Sequence, residues 1–130
     1  MKTQKAFKTT GIVIVLIGII HLCATPLILK GFRVLNQGNF FTFIYMFLFT
    51  GVSVVFIGWL QYFIVNKLVN NVIAVRMLKV STFVILATGL GAVAAMPDNP
   101  FAWLILVVAI VEVILISNKK AWTLNTLNKQ

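Results

Sequence analysis

Residues 101–117 are FAWLILVVAIVEVILIS, an apolar run whose one charged residue is Glu112. A helix needs roughly 17–25 mainly apolar residues to cross a bilayer core, and this run has that length. Because the run is apolar on all sides rather than alternating, it is typical of a helix and not of a barrel strand. Three further runs share this character, at residues 11–29, 40–65 and 80–96. The sequence therefore predicts an all-α, polytopic membrane protein with one four-helix domain over residues 1–130.

The composition of the chain supports a lipid environment. Of its 130 residues, 61% are hydrophobic and only 10% are charged, and the mean hydropathy is +1.05. A soluble domain of this length buries too small a share of its surface to hide so much apolar area. The net charge of +9 would suggest nucleic acid in a soluble protein. Here the basic residues flank the apolar runs, so we expect anionic lipid headgroups as partners and no nucleic acid.

The distribution of Lys and Arg predicts the orientation of the bundle. Nine of the eleven lie before the first run, between the second and third, or after the fourth, whereas Lys30 and Arg33 lie between the first and second. Basic residues concentrate on the cytoplasmic side of a membrane protein. The short connection at residues 97–100 makes the third and fourth helices antiparallel neighbours. We expect an antiparallel bundle in the cell (inner) membrane, with both termini in the cytoplasm.

Two ionisable side chains fall well inside the predicted spans. His21 lies near the middle of the first run and Glu112 lies in the fourth. At about 1.5 Å of rise per residue, their depths differ by about 6 Å. Ionisable groups at this depth are unfavourable unless paired or hydrated, so they face the bundle interior. A His21–Glu112 pair is either a ligand-binding or proton-linked site, or a structural hydrogen bond between two helices.

The residues around His21 also suggest a site. Thr25 precedes Pro26, and a proline inside a helix removes a backbone donor and favours a kink. Gly18, His21 and Thr25 are spaced three and four residues apart, so they share one helix face. A kink beside a polar face either opens a cavity or serves packing alone.

Gln61 is a further candidate at the inner end of the second predicted helix. In the sequence it lies between Trp59 and Tyr62, two aromatic residues of the kind that prefer a membrane interface. We expect Gln61 either to line the mouth of a pocket or to belong to an interfacial anchor.

The third run contains a surface of small residues. Ala87, Gly91 and Ala95 follow one another at intervals of four, a spacing that lets helices approach closely in lipid. The partner of this surface is one of the chain's own helices, a second protomer, or another membrane protein. We expect a homo-oligomer or a complex with another membrane protein.

Motifs for catalysis, cofactors or metals do not appear in the sequence. It has no glycine-rich phosphate loop and no HExxH, and it contains one histidine and one cysteine. We therefore expect no metal and no cofactor, and we favour a non-enzymatic role. An enzyme acting on a lipid or quinone would have to use His21 and Glu112 as its acid and base.

The length and four-span layout resemble the small multidrug resistance transporters. That resemblance implies a dimeric transporter with an essential membrane-embedded glutamate in its first helix. At the corresponding place this sequence has His21, and its intramembrane acid, Glu112, is in the fourth run. The resemblance is therefore one of architecture, and no residue role is carried over.

Three functional hypotheses follow from these features. The sequence favours a small membrane protein that binds or transports a small hydrophobic or cationic molecule, proton-linked through His21 and Glu112. The alternatives are a non-catalytic subunit or assembly factor of a larger membrane complex, and, third, a membrane enzyme.

Overall fold

Four α-helices make up nearly all of the structure, a computed structural model that describes residues 2–31, 37–68, 70–118 and Trp122. The helices are α1 (Lys2–Gly31), α2 (Gln37–Phe63), α3 (Val72–Ala95) and α4 (Pro100–Ser117). A π-helical turn, Ile64–Leu68, continues α2. Each of the four helices is long and apolar enough to cross a membrane. The predictions of an all-helical chain and of four candidate spans are therefore confirmed.

Two of the helices begin about two turns earlier than hydropathy predicts. α1 starts at Lys2 rather than at residue 11, and α3 starts at Val72 rather than at residue 80. The added turns contain basic residues, which lower the hydropathy but have good helix propensity. Asn71 caps α3, because its side-chain oxygen accepts hydrogen bonds from the next amides at 2.8 Å and 3.2 Å.

α1 packs along α2 at four glycines. Gly11 lies beside Gly58 and Gly18 lies beside Gly51, seven residues apart on each helix. A Cβ added at Gly58 would lie 2.7 Å from the Gly11 carbonyl oxygen, and one at Gly18 would lie 2.9 Å from the Val55 amide nitrogen. Residue numbers rise along α1 as they fall along α2, so the two helices run in opposite directions here. The close approach leaves no room for a larger residue at these positions.

α3 packs along α4, and α1 also contacts α4, whereas α2 and α3 touch only slightly. Gly89 is the residue of close approach on α3, because a Cβ there would lie 2.9 Å from the Leu106 Cα. The small-residue surface predicted on α3 behaves differently. Ala87, Gly91 and Ala95 are exposed, and a Cβ added at Gly91 would have no neighbour within 4 Å. This surface is not used for packing between the described helices.

One end of the structure, called the basic end here, gathers the start of α1, the turn after α2 and the end of α4. The Lys8 ammonium group donates to the Asn66 side-chain oxygen at 3.0 Å. The Phe7 ring packs edge-on against Trp122, with centroids 5.4 Å apart. The opposite end, called the turn end, carries the short connection between α3 and α4.

Some of the basic residues that predict orientation lie outside the described part of the chain. They are Arg33, Lys119, Lys120, Lys129 and the side chain of Lys30.

Buried apolar residues form two clusters at successive levels of the four helices. The cluster at the basic end contains Phe7, Ile64, Val65, Ala74, Val75, Leu78, Ile116 and Trp122. The second cluster, nearer the turn end, contains Ile14, Ile17, Val54, Ile85, Ile105, Val108 and Ala109. Along α1, α3 and α4 the two clusters are about two turns apart, and from Val54 in α2 to Ile64 in the π-helical turn the distance is about three turns.

Candidate functional site

Between the two apolar clusters, each helix contributes one polar side chain to the same level. We call these residues the polar layer: Thr10 from α1, Gln61 from α2, Thr82 from α3 and Glu112 from α4. Gln61, Thr82 and Glu112 are each 0% exposed, and Thr10 is partly buried. The layer is therefore enclosed by apolar residues towards both ends of the molecule.

Glu112 is the centre of the polar layer. Its Oε1 lies 2.8 Å from the Thr10 hydroxyl, and its Oε2 accepts a hydrogen bond from Gln61 Nε2 at 2.9 Å. The Thr82 hydroxyl also faces the carboxyl group, while donating to the Leu78 carbonyl oxygen at 3.0 Å. These hydrogen bonds offset the penalty for burying the carboxyl group. None of the three partners carries a charge.

The Gln61 side chain is only partly satisfied. Its amide nitrogen donates to Glu112, but its oxygen is the one buried side-chain N or O atom in the described structure without a hydrogen-bond partner. An unpaired buried acceptor destabilises the fold by about 1–3 kcal/mol. Gln61 was expected at a pocket mouth or in an interfacial anchor, and instead it lies within the bundle beside Glu112.

A second polar location lies nearer the turn end. All four helices border a partly enclosed cavity of about 50 Å³, which is room for a few water molecules. Most of its lining is apolar, and its polar lining residues are His21, Thr50, Thr88 and Asn99. Within the residues that the structure describes, no three His, Cys, Asp or Glu side chains are placed to hold a metal ion.

His21 stands at the edge of this cavity and is half-buried. Its Nε2 lies 3.1 Å from the Phe47 carbonyl oxygen, so Nε2 carries the hydrogen in this contact. The imidazole also stacks on the Phe47 ring, with centroids 3.8 Å apart. Thr25 is buried one turn further on, and its hydroxyl donates to the His21 carbonyl oxygen at 3.3 Å. α1 continues through Pro26 to Gly31.

In the structure, His21 and Glu112 do not contact each other, because each side chain has other partners. Glu112 contacts Thr10, which precedes His21 by eleven residues on α1. At 1.5 Å per residue, His21 therefore lies about 16 Å further along the helix. The predicted depth of His21 was counted from the centre of the apolar run at residues 11–29. In the structure, α1 begins at Lys2 and its candidate span ends at Pro26. That register places Thr10, not His21, at the level of Glu112.

Thr10 and Thr82 are the members of the polar layer that the sequence did not indicate. Threonine is common in membrane helices, where its hydroxyl usually bonds a carbonyl one turn earlier. Thr10 also precedes the first apolar run, so hydropathy excludes it from a span. The one available signal was spacing, since Thr82 lies one turn beyond Leu78 and one turn before Leu86 within an apolar run.

No family model matches this chain, and comparisons with curated proteins and with solved structures find no match. The functional argument therefore rests on the geometry of the polar layer and of the cavity.

Proposed function

We propose that this is a small integral membrane protein that binds or transports a small, mainly hydrophobic molecule in the cavity beside His21. The observation that supports it is one partly enclosed cavity bordered by all four helices, apolar apart from a few polar side chains. Binding sites for small molecules have this character, since the apolar walls hold the ligand and the polar groups orient it. The volume of about 50 Å³ restricts the ligand to a few non-hydrogen atoms unless the helices separate.

Of the two ligand classes that the sequence suggests, the hydrophobic one is supported better than the cationic one. A cation inside a bilayer needs a negative partner, because an unpaired charge there is strongly unfavourable. No carboxylate is among the cavity's lining residues in the described part of the chain, and Glu112 belongs to the polar layer. His21 and Asn99 offer hydrogen bonds rather than a negative charge.

The orientation in the membrane is part of the same proposal. We propose an antiparallel bundle in the inner membrane, with the basic end in the cytoplasm and the turn end outside. The described basic residues of the N-terminal segment and of the α2–α3 connection lie towards the basic end, whereas Asp98 is at the turn end. In a Cys23→Ser background, a cysteine at Asp98 should react with an impermeant thiol reagent in intact cells, and one at Lys67 should not. The reverse pattern would invert the topology.

The binding proposal is tested by filling the cavity. Ala92 lines it, whereas Ala95 is exposed on the same helix, so Ala92→Leu and Ala95→Leu form a matched pair. Native mass spectrometry from lipid nanodiscs should show a small-molecule adduct on the wild type and on Ala95→Leu. The adduct should be lost from Ala92→Leu. Equal adducts on all three proteins, or none on any, would contradict the proposed site.

An accessory subunit or assembly factor is the second candidate, and the exposed surface on α3 favours it. Ala87, Gly91 and Ala95 leave a flat face with open space at Gly91, which suits close contact with another transmembrane helix. The same mass spectra would then show a stoichiometric second protein or a second copy, lost in Gly91→Leu. The enzyme hypothesis is weakened, because His21 and Glu112 are too far apart to act as an acid–base pair.

A further inference from the structure

The Thr10 hydroxyl lies within hydrogen-bond distance of two oxygen atoms but has only one hydrogen to donate. Its Oγ1 lies 2.7 Å from the Phe7 carbonyl oxygen and 2.8 Å from Glu112 Oε1. A hydroxyl has a single hydrogen and two lone pairs, and a backbone carbonyl is an acceptor only. If the Thr10 hydrogen points to Phe7, the contact with Glu112 needs its hydrogen from the carboxyl group.

The other contacts of Glu112 agree with this assignment. The Thr82 hydroxyl donates to the Leu78 carbonyl oxygen, so its hydrogen is also occupied within its own helix. Gln61 Nε2 donates to Glu112 Oε2, which is the carbonyl oxygen of a carboxylic acid protonated on Oε1. With the proton on Oε1, the Thr10 and Gln61 contacts of Glu112 each have one donor and one acceptor, while the Thr82 hydroxyl donates to Leu78 alone.

The surroundings of Glu112 also disfavour a charge. Thr10 faces it from α1, Gln61 from α2 and Thr82 from α3, and no titratable or charged side chain among the described residues joins them. Lys8, the nearest basic residue to Thr10 along α1, bonds Asn66 at the basic end instead. A carboxylate buried without a positive partner is unfavourable at this depth.

We infer that Glu112 is a protonated carboxylic acid in the resting protein, and that the polar layer is a proton-binding site separate from the His21 cavity. The proton sits on Oε1 and is donated to Thr10 Oγ1, and the Thr10 hydrogen is donated to the Phe7 carbonyl oxygen. This site does not depend on the cavity or on what binds there.

The layer can also hold the ionised form without moving a helix. Rotation of the Thr10 and Thr82 hydroxyls away from their carbonyls would turn both hydrogens towards the carboxylate, next to the Gln61 amide. On ionisation, the proton passes to water.

The experiment uses the fact that Glu112 is the only glutamate in the chain. The intact protein, labelled with carbon-13 at the glutamate side-chain carboxyl, gives one such resonance in detergent micelles or nanodiscs. At neutral pH it should lie at the carboxylic acid position and should move to the carboxylate position as the sample is made alkaline. Asp98→Asn, the change at the only other acid, should leave it unchanged. A resonance at the carboxylate position at neutral pH would overturn the inference.

A pair of variants tests the role of Thr10 without relying on activity. Thr10→Val removes the acceptor of the acid proton, so the glutamate resonance and its pH profile should both shift. Thr10→Ser keeps the hydroxyl and should restore the wild-type resonance. An unchanged resonance and pH profile in a folded Thr10→Val protein would show that the proton is not donated to Thr10.

Discussion

The polar layer and the cavity lie at different levels of the same four helices, and each contains one of the two intramembrane ionisable residues. Glu112 is fully enclosed, and both of its oxygens are in hydrogen bonds to uncharged side chains. His21 is half-buried, bonds a backbone carbonyl and borders open space. An enclosed acid can change only by gaining or losing a proton, whereas a histidine at a cavity edge can meet a ligand. The two residues therefore lie in different chemical environments.

The largest expected effect concerns the enclosed acid. Glu112→Ala leaves the Thr10 hydroxyl and the Gln61 amide without their partner and opens a cavity, so we expect a loss of about 3 kcal/mol in the free energy of unfolding. Glu112→Gln should lose less than about 1 kcal/mol, because an amide both donates to Thr10 and accepts from Gln61. Denaturant unfolding in detergent, followed by circular dichroism, measures both. Similar losses for the two variants would show that the hydrogen bonds of the layer do not stabilise the fold.

The second prediction compares two glycines on α3. Gly89→Leu would force a side chain against the backbone of α4 at Leu106, and overpacking of this kind lowers stability by about 1–3 kcal/mol. A Cβ added at Gly91 would have no atom of the described chain within 4 Å, so for Gly91→Leu we expect unchanged unfolding. Denaturant unfolding in detergent, followed by circular dichroism, compares the stability of the two glycine variants. Destabilisation by Gly91→Leu would show that its face is packed against a second protein or a second copy.

The smallest expected effect concerns His21 and tests the separation of the two sites. His21→Leu removes one hydrogen bond to a carbonyl that remains in helical backbone, so we expect a loss of at most about 1 kcal/mol. Because the polar layer lies about 16 Å away along α1, the double variant with Glu112→Gln should lose the sum of the two single effects, within about 0.5 kcal/mol. A larger coupling energy would show that the two sites interact, as a direct contact between His21 and Glu112 would require.

Hydropathy predicts the ends of the helices well only where polar residues stop the run. α4 ends at Ser117 as predicted and begins at Pro100, where Asn99 accepts from the Phe101 amide at 3.0 Å. α1 and α3 extend beyond their apolar runs, because basic residues continue a helix that hydropathy no longer marks. Because hydropathy does not mark the extension of α1, Thr10 lies outside the predicted first span although it lies within the observed helix.

The sequence by itself determined that the chain forms four apolar helices and that few side chains within them can ionise. Both properties are local, because the length and apolarity of a run do not depend on its neighbours. Only the tertiary structure decided which residues meet. The register of α1 against α2 is set by the Gly11–Gly58 and Gly18–Gly51 contacts, and neither helix specifies it alone. The register of α1 against α4 places Glu112 beside Thr10 and leaves His21 at the cavity, because side chains from separate helices pair only after the helices pack.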